Sequence, residues 1–332
     1  MNTVLAESEL SIAEPGQKKE GNHRVLFLLK GAASACLMWW ILQGTNFAEI
    51  SSSIKSASLP LLFLAFSLPF LGYLISVSRW RLLLKAQGIS SHVWHLVRAF
   101  MVSVFFNNFL PSTIGGDAFR IYESWRLGAS KASAVAVVFV DRFLGLLALI
   151  VLTMVGLLSA NPFSESIPHL SIWVCTGFVL VVALGFLLFH SSFAGNFGQW
   201  NGQSKLVHRV LGIANKINDG FTVFRGRTDT VLQAFGLSLL LQANVVIQYF
   251  IIAKALHFSI PFWSFFLIIP LALFVMLLPI SINGIGLRES IFVLILAPWG
   301  IDKPEALALA WLAYGCLVGQ GLLGGVVYAM RK

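Results

Sequence analysis

Between Ala132 and Leu158 the chain carries only two charged residues, Asp141 and Arg142, in an otherwise apolar run. A run of about 20 apolar residues is what crossing a bilayer requires, and similar blocks recur along the sequence. Of the 332 residues, 57% are hydrophobic and only 11% charged, and the mean hydropathy is +0.82. A soluble domain carries about 25% charged residues. Alternation with period two, the signature of a transmembrane barrel, is absent. The sequence therefore predicts an all-α polytopic membrane protein.

The formal net charge of +9 does not point to nucleic acid. The basic residues lie in short segments beside apolar runs, where they set topology and meet anionic headgroups. Cys36, Cys175 and Cys316 lie far apart within apolar runs, give neither metal spacing nor a disulfide framework, and are expected to be small packing residues. Residues 1–22 are polar and predict a mobile tail rather than a cleaved signal peptide; residues 23–332 are expected to form a single transmembrane domain.

Full spans are expected near 25–42, 59–77, 132–158, 170–189, 231–252 and 306–329, with residues 44–58 as an external loop. Arg79-Trp80-Arg81, with Lys85 and Arg98, reads as a cytoplasmic cluster with Trp80 at the headgroup level. Basic residues before the first span and Arg331-Lys332 at the end put both termini in the cytoplasm. Leu206, Val210, Ile213, Ile217, Phe221 and Phe224 recur at helical spacing beside Lys205, Arg209 and Lys216. That pattern predicts a cytoplasmic interfacial amphipathic helix over 204–225.

Two apolar segments are broken in the same way. Leu110-Pro111 is followed by Ile114, Gly116 and Arg120; Leu278-Pro279 is followed by Ile282, Gly284 and Arg288. Proline removes a donor and glycine permits unusual backbone. Backbone freed at bilayer depth is tolerated only where protein or a water-filled cavity satisfies it. The paired breaks predict two re-entrant hairpins in an inverted repeat, added to about six full spans, with a site between them. The alternative is eight or more plain spans.

Helices restarting after each glycine would present N–H donors to an anion, and Arg120 and Arg288 would add charge-assisted bonds. The candidate binding residues are Asn107, Asn108, Pro111, Ser112, Gly115, Gly116, Asp117 and Arg120 in the first motif, and Asn283, Gly284, Gly286, Arg288 and Glu289 in the second. Asp141 and Arg142 are costly inside a membrane and cannot face each other on a helix. The expected pairs are Asp141 with Arg120, and Arg142 with Asp117 or Glu289, as a clamp or a gate. No catalytic or metal-binding motif is present, and no cofactor is expected.

Several of these residues carry a resemblance. Arg79-Trp80, the run Asn108-Phe109-Leu110-Pro111-Ser112 with Gly115-Gly116-Asp117 and Arg120, Asp141-Arg142 in place of the usual Glu-Arg, and Asn283 through Glu289 together resemble the lysylphosphatidylglycerol synthase transmembrane-region family. These proteins are also called flippase-like domain proteins. In two-part members the membrane region is taken to move an aminoacylated phospholipid that a following soluble domain makes. Here no synthase domain is expected after Lys332.

The resemblance implies a lipid translocase of the cytoplasmic membrane, acting on an anionic or aminoacylated phospholipid or a polyprenyl-phosphate lipid. Its expected partners are membrane lipid headgroups, with a separately encoded lipid-modifying enzyme as a further candidate. The alternatives are an integral-membrane lipid-modifying enzyme using Asp117 or Glu289 as acid or base, and a scaffold for a separate lipid synthase.

Overall fold

The computed structural model describes residues 31–110, 115–158, 169–190, 223–224, 226–277, 280–281 and 283–331. The expected tail over 1–22 and nearly all of the expected amphipathic helix over 204–225 lie outside these residues, as do Pro111, Ser112 and Pro279.

Eleven α-helices are described: α1 (Gly31–Leu42), α2 (Phe47–Ser56), α3 (Leu59–Ala86), α4 (Val93–Phe109), α5 (Gly115–Arg126), α6 (Lys131–Leu157), α7 (Leu170–His190), α8 (Thr228–Ala255), α9 (Phe265–Met276), α10 (Leu287–Leu296) and α11 (Lys303–Ala329). Helices α3, α6, α8 and α11 are each long and apolar enough to cross a membrane. The described residues form helices and no strands, and the protein is a multi-pass membrane protein.

The antiparallel pair α3 and α8 forms the frame. At one end the Ser58 amide donates to the Ala255 carbonyl. Further along, Asn244 Nδ2 donates to the Leu68 carbonyl at 3.3 Å. Near the other end Arg79 Nη1 donates to Ser238 Oγ at 2.6 Å. Asn244 also lies against Gly72, where a Cβ would meet its Oδ1 at 2.9 Å. The frame thus rests on interhelical hydrogen bonds and close approach, as expected where lipid supplies no hydrophobic drive between helices.

The chain leaves the C-terminal end of α3 and enters α4, and α5 folds back along α4. His95 near the start of α4 meets Glu123 near the end of α5, while Phe106 near the end of α4 packs on Phe119. These two helices form an antiparallel pair that opens at the α3 C-terminal end. A second pair behaves likewise at the opposite end. Phe250, near the end of α8, packs on Phe262, in the short turn before α9, and on Phe265 at the start of α9. The adjacent Tyr249 stacks on Phe292, in the second half of α10. The start of α9 and the later part of α10 therefore sit at one depth, so α9 and α10 run antiparallel and open where α3 begins.

Helix α11 runs alongside both pairs. Lys303 at its start donates to the Gln43 carbonyl after α1, and Arg331 after its end donates to Glu123 of α5. Gly324 allows α11 to approach α4 closely: a Cβ there would fall on the Met101 carbonyl.

Three expectations are corrected. Residues 44–58 are not a loop but contain α2. Asn46 caps it by accepting from the Ala48 amide, Glu49 lies in its first turn and Lys55 in its last, a charge order that suits the helix dipole. Trp80 is not an interfacial anchor: α3 continues to Ala86 and Trp80 is fully buried. Cys36 and Cys175 are not packed inside, since both are exposed.

Candidate functional site

The tips of the two antiparallel pairs touch. Asn283 Nδ2 donates to the Asn108 carbonyl at 2.5 Å. Asn108 Nδ2 in turn donates to the Leu317 carbonyl at 2.8 Å. Leu317 lies near the midpoint of α11 (Lys303–Ala329), so the contact sits at about half the depth of a spanning helix.

The two tips reach this contact by different backbone routes. In the first, Gly115 and Gly116 begin α5 with ordinary helical backbone, so the expected conformational freedom is not what they supply. They supply space: a Cβ on Gly116 would collide with the Ser103 carbonyl and with Asn107. Asn107 Oδ1 accepts from the Gly116 amide at 2.9 Å, capping α5 with a side chain from the preceding helix. In the second tip, Asn283, Gly284 and Gly286 have φ of 52°, 76° and 79°. This is the left-handed region that glycine, and less readily asparagine, accepts. Gly286 also lies against α1, where a Cβ would come 2.8 Å from Leu37 Cβ.

Glu289 closes the start of α10. Its Oε2 accepts from the Gly286 amide at 2.7 Å, so its carboxylate caps its own helix. Ser290 Oγ donates to the Gly286 carbonyl at 2.7 Å.

Behind the first tip lies a buried charge network. Asp141 of α6 accepts from Arg79 Nε at 2.5 Å and from Arg120 Nη1 at 2.9 Å. Arg120 lies between two aromatic rings, 5.0 Å from the Trp80 centroid and 5.6 Å from that of Phe100. Trp80 Nε1 donates to Ser124 Oγ, and Ser124 Oγ donates to the Arg120 carbonyl, which ties the ring to the helix that carries the arginine. On the outer side of the network, Arg142 forms a fork on Asp117, with Nε and Nη2 donating to its two oxygens at 2.8 Å each. Both pairs suggested by the sequence, Asp141 with Arg120 and Arg142 with Asp117, are present. Arg79 and Ser238 complete the network and were not among the candidates. In the sequence Arg79 reads as a topology signal, with nothing in its neighbours to mark it as buried.

Arg288 is held differently. It is as buried as Arg120, each being 4% exposed. Its guanidinium lies 4.4 Å from the Tyr314 ring centroid, and Nη2 donates to the Asn283 carbonyl at 3.3 Å. Its Nη1 is buried with no hydrogen-bond acceptor, and no carboxylate pairs with it among the described residues. No group of three or more histidine, cysteine or acidic side chains is gathered as a metal site among those residues.

The sequence profile of the lysylphosphatidylglycerol synthase TM region matches residues 27–324, which takes in the frame, both tips and the charge network. The chain belongs to this family. Within the lysylphosphatidylglycerol synthase TM region family, it is similar to a "UPF0104 membrane protein" of Methanothermobacter thermautotrophicus. The two are 25% identical over 317 residues, covering 86% of this chain and 87% of that protein.

Proposed function

We propose that the protein is a lipid translocator of the cell membrane, and that its two helix pairs are re-entrant hairpins in an inverted repeat. The observation that carries this reading is the contact of the two tips at half depth, made by pairs that open at opposite ends of the α3–α8 frame. Broken helices meeting near the midplane from opposite sides are an arrangement suited to exposing one site to each side in turn.

The distribution of cations supports an orientation. Arg81, Lys85, Arg98, Arg126, Lys131, Arg227 and Arg331 lie toward the end where α4 and α5 open, against Lys55, Lys254 and Lys303 at the other. By the positive-inside rule the richer end is cytoplasmic. The ligand on this reading is a lipid whose anionic headgroup enters between the tips while its tails stay in the bilayer.

The enzymatic alternative needs a free carboxylate. Both of its candidates are engaged, Asp117 by the Arg142 fork and Glu289 by the start of α10. The translocation reading is tested with protein reconstituted into vesicles carrying labelled phospholipids and polyprenyl-phosphate lipids. Movement above the empty-vesicle rate is expected for at least one, and none for the whole panel refutes it. The topology is tested separately with cysteines placed at the exposed Trp94 and Trp263 in a cysteine-free background. Labelling from opposite sides is expected, and labelling from the same side ends the inverted arrangement.

A further inference from the structure

We infer that the two arginines of the duplicated motif have divided their roles: Arg288 is the anion-binding group, for an oxyanion of the phosphate class, and Arg120 is a structural clamp. The inference deepens the translocation reading and rests on it only for the lipid nature of the ligand.

Arg120 and Arg288 occupy matching places, nine residues after a proline, and are equally buried. A buried guanidinium needs a counter-charge and acceptors. Both arginines leave buried nitrogens without acceptors, Nε and Nη2 of Arg120 and Nη1 of Arg288, so the difference lies in the counter-charge: Arg120 has a carboxylate, Asp141, and a sandwich of two rings. Its charge is also tied to α3 through Arg79, which shares Asp141. Moving Arg120 toward a ligand would break that bond, so its geometry is that of a fastener.

Arg288 has one ring, one long bond to a backbone carbonyl, and an Nη1 without an acceptor. The one carboxylate beside it in sequence, Glu289, is turned to the Gly286 amide. Arg288 also lies in the first turn of α10, where the helix already presents positive partial charge, so a cation there is doubly disfavoured without an anion. The planar fork of arginine suits the paired oxygens of a phosphate or phosphodiester. The neighbouring backbone is the left-handed run Asn283-Gly284, and Gly284 lies beside the guanidinium, where a Cβ would come 3.6 Å from Nη2 and 3.4 Å from Met276 Cε.

The test uses the full chain in detergent micelles, with bound ligand read by native mass spectrometry and thermal midpoints read by intrinsic fluorescence. The probes are phosphatidylglycerol, diacylglycerol with the same acyl chains, and inorganic phosphate. Wild type is expected to prefer phosphatidylglycerol over diacylglycerol by about tenfold or more. Arg288→Gln is expected to abolish that preference while leaving the ligand-free midpoint unchanged or raised, because a buried unpaired charge is removed. Arg288→Lys, which keeps the charge but not the fork, is expected to retain part of it. Arg120→Gln is expected to lower the midpoint yet keep the preference within about threefold in the folded fraction.

Retention of the preference in Arg288→Gln, an equal loss in Arg120→Gln, or a wild type that binds neither anionic probe in an Arg288-dependent way overturns the inference. If inorganic phosphate alone binds through Arg288, the arginine assignment stands and the lipid reading falls. If phosphatidylglycerol binds through Arg288 but no lipid moves in vesicles, binding stands and translocation falls.

Discussion

Replacing Asp141 with alanine removes the carboxylate that Arg79 and Arg120 share. Asp141 is 1% exposed, and its two pairs measure 2.5 and 2.9 Å, so no solvent takes over. Breaking one buried pair by deleting a partner costs about 3–5 kcal/mol. Here the deletion leaves Arg79 without its carboxylate and Arg120 with only the longer pair to Asp117 at 3.9 Å, which puts the expected loss near the top of that range, about 5 kcal/mol. At about 2 °C per kcal/mol for a chain of this size, the thermal midpoint in detergent should fall by about 10 °C. Asp141→Asn keeps the shape and an acceptor and should lose less. Adding Arg120→Gln to Asp141→Ala removes one stranded charge and should recover part of the loss. The reasoning fails if Asp141→Ala moves the midpoint by less than about 2 °C, or if the double variant is no more stable than the single one.

Other expectations follow from the close contacts and the caps. Gly324→Ala sets a methyl group on the Met101 carbonyl and should cost about 1–3 kcal/mol by forcing α11 and α4 apart; Gly315→Ala, where a Cβ meets nothing within 4 Å, should be neutral or slightly stabilising, and unfolding midpoints compare the two. Glu289→Ala should cost about 1 kcal/mol through the lost cap, whereas Glu289→Gln, which still accepts from Gly286, should keep both stability and lipid movement in vesicles. Loss of function in Glu289→Gln with stability intact would instead favour acid–base chemistry. Gly116→Ala collides with the Ser103 carbonyl and should lower the midpoint more than Gly128→Ala does. Gly128 has open space around it but a φ of 106°, so its alanine pays only in backbone strain.

Much of this arrangement was legible in the sequence because membranes make charge expensive. Asp141 and Arg142 stood out in an apolar run, and their partners followed from the few opposite charges available at similar depth. The broken segments were visible because proline and glycine interrupt apolar periodicity. What escaped was context-dependent. Arg79 and Trp80 look like any basic-aromatic pair at the end of a span, and only the continuation of α3 to Ala86 turns them inward. The two motifs share spacing, yet the glycines of one supply room and those of the other supply left-handed backbone; sequence identity does not distinguish these uses. That no carboxylate meets Arg288 among the described residues was equally invisible, since Glu289 sits next to it in sequence and only the fold turns that carboxylate away.

The meeting of the tips is also a matter of matched lengths. Helix α3 has 28 residues, about 42 Å at 1.5 Å per residue. Helix α4 has 17 and α9 has 12, about 26 and 18 Å. Hung from opposite ends of the frame, the two together measure about 44 Å, the length of the frame itself. Neither helix reaches across alone. One added turn in either helix would drive the tips past each other, and one turn removed would leave a gap of about 5 Å. In this fold the lengths of α4 and α9 are a shared specification, and a change in one calls for an opposite change in the other.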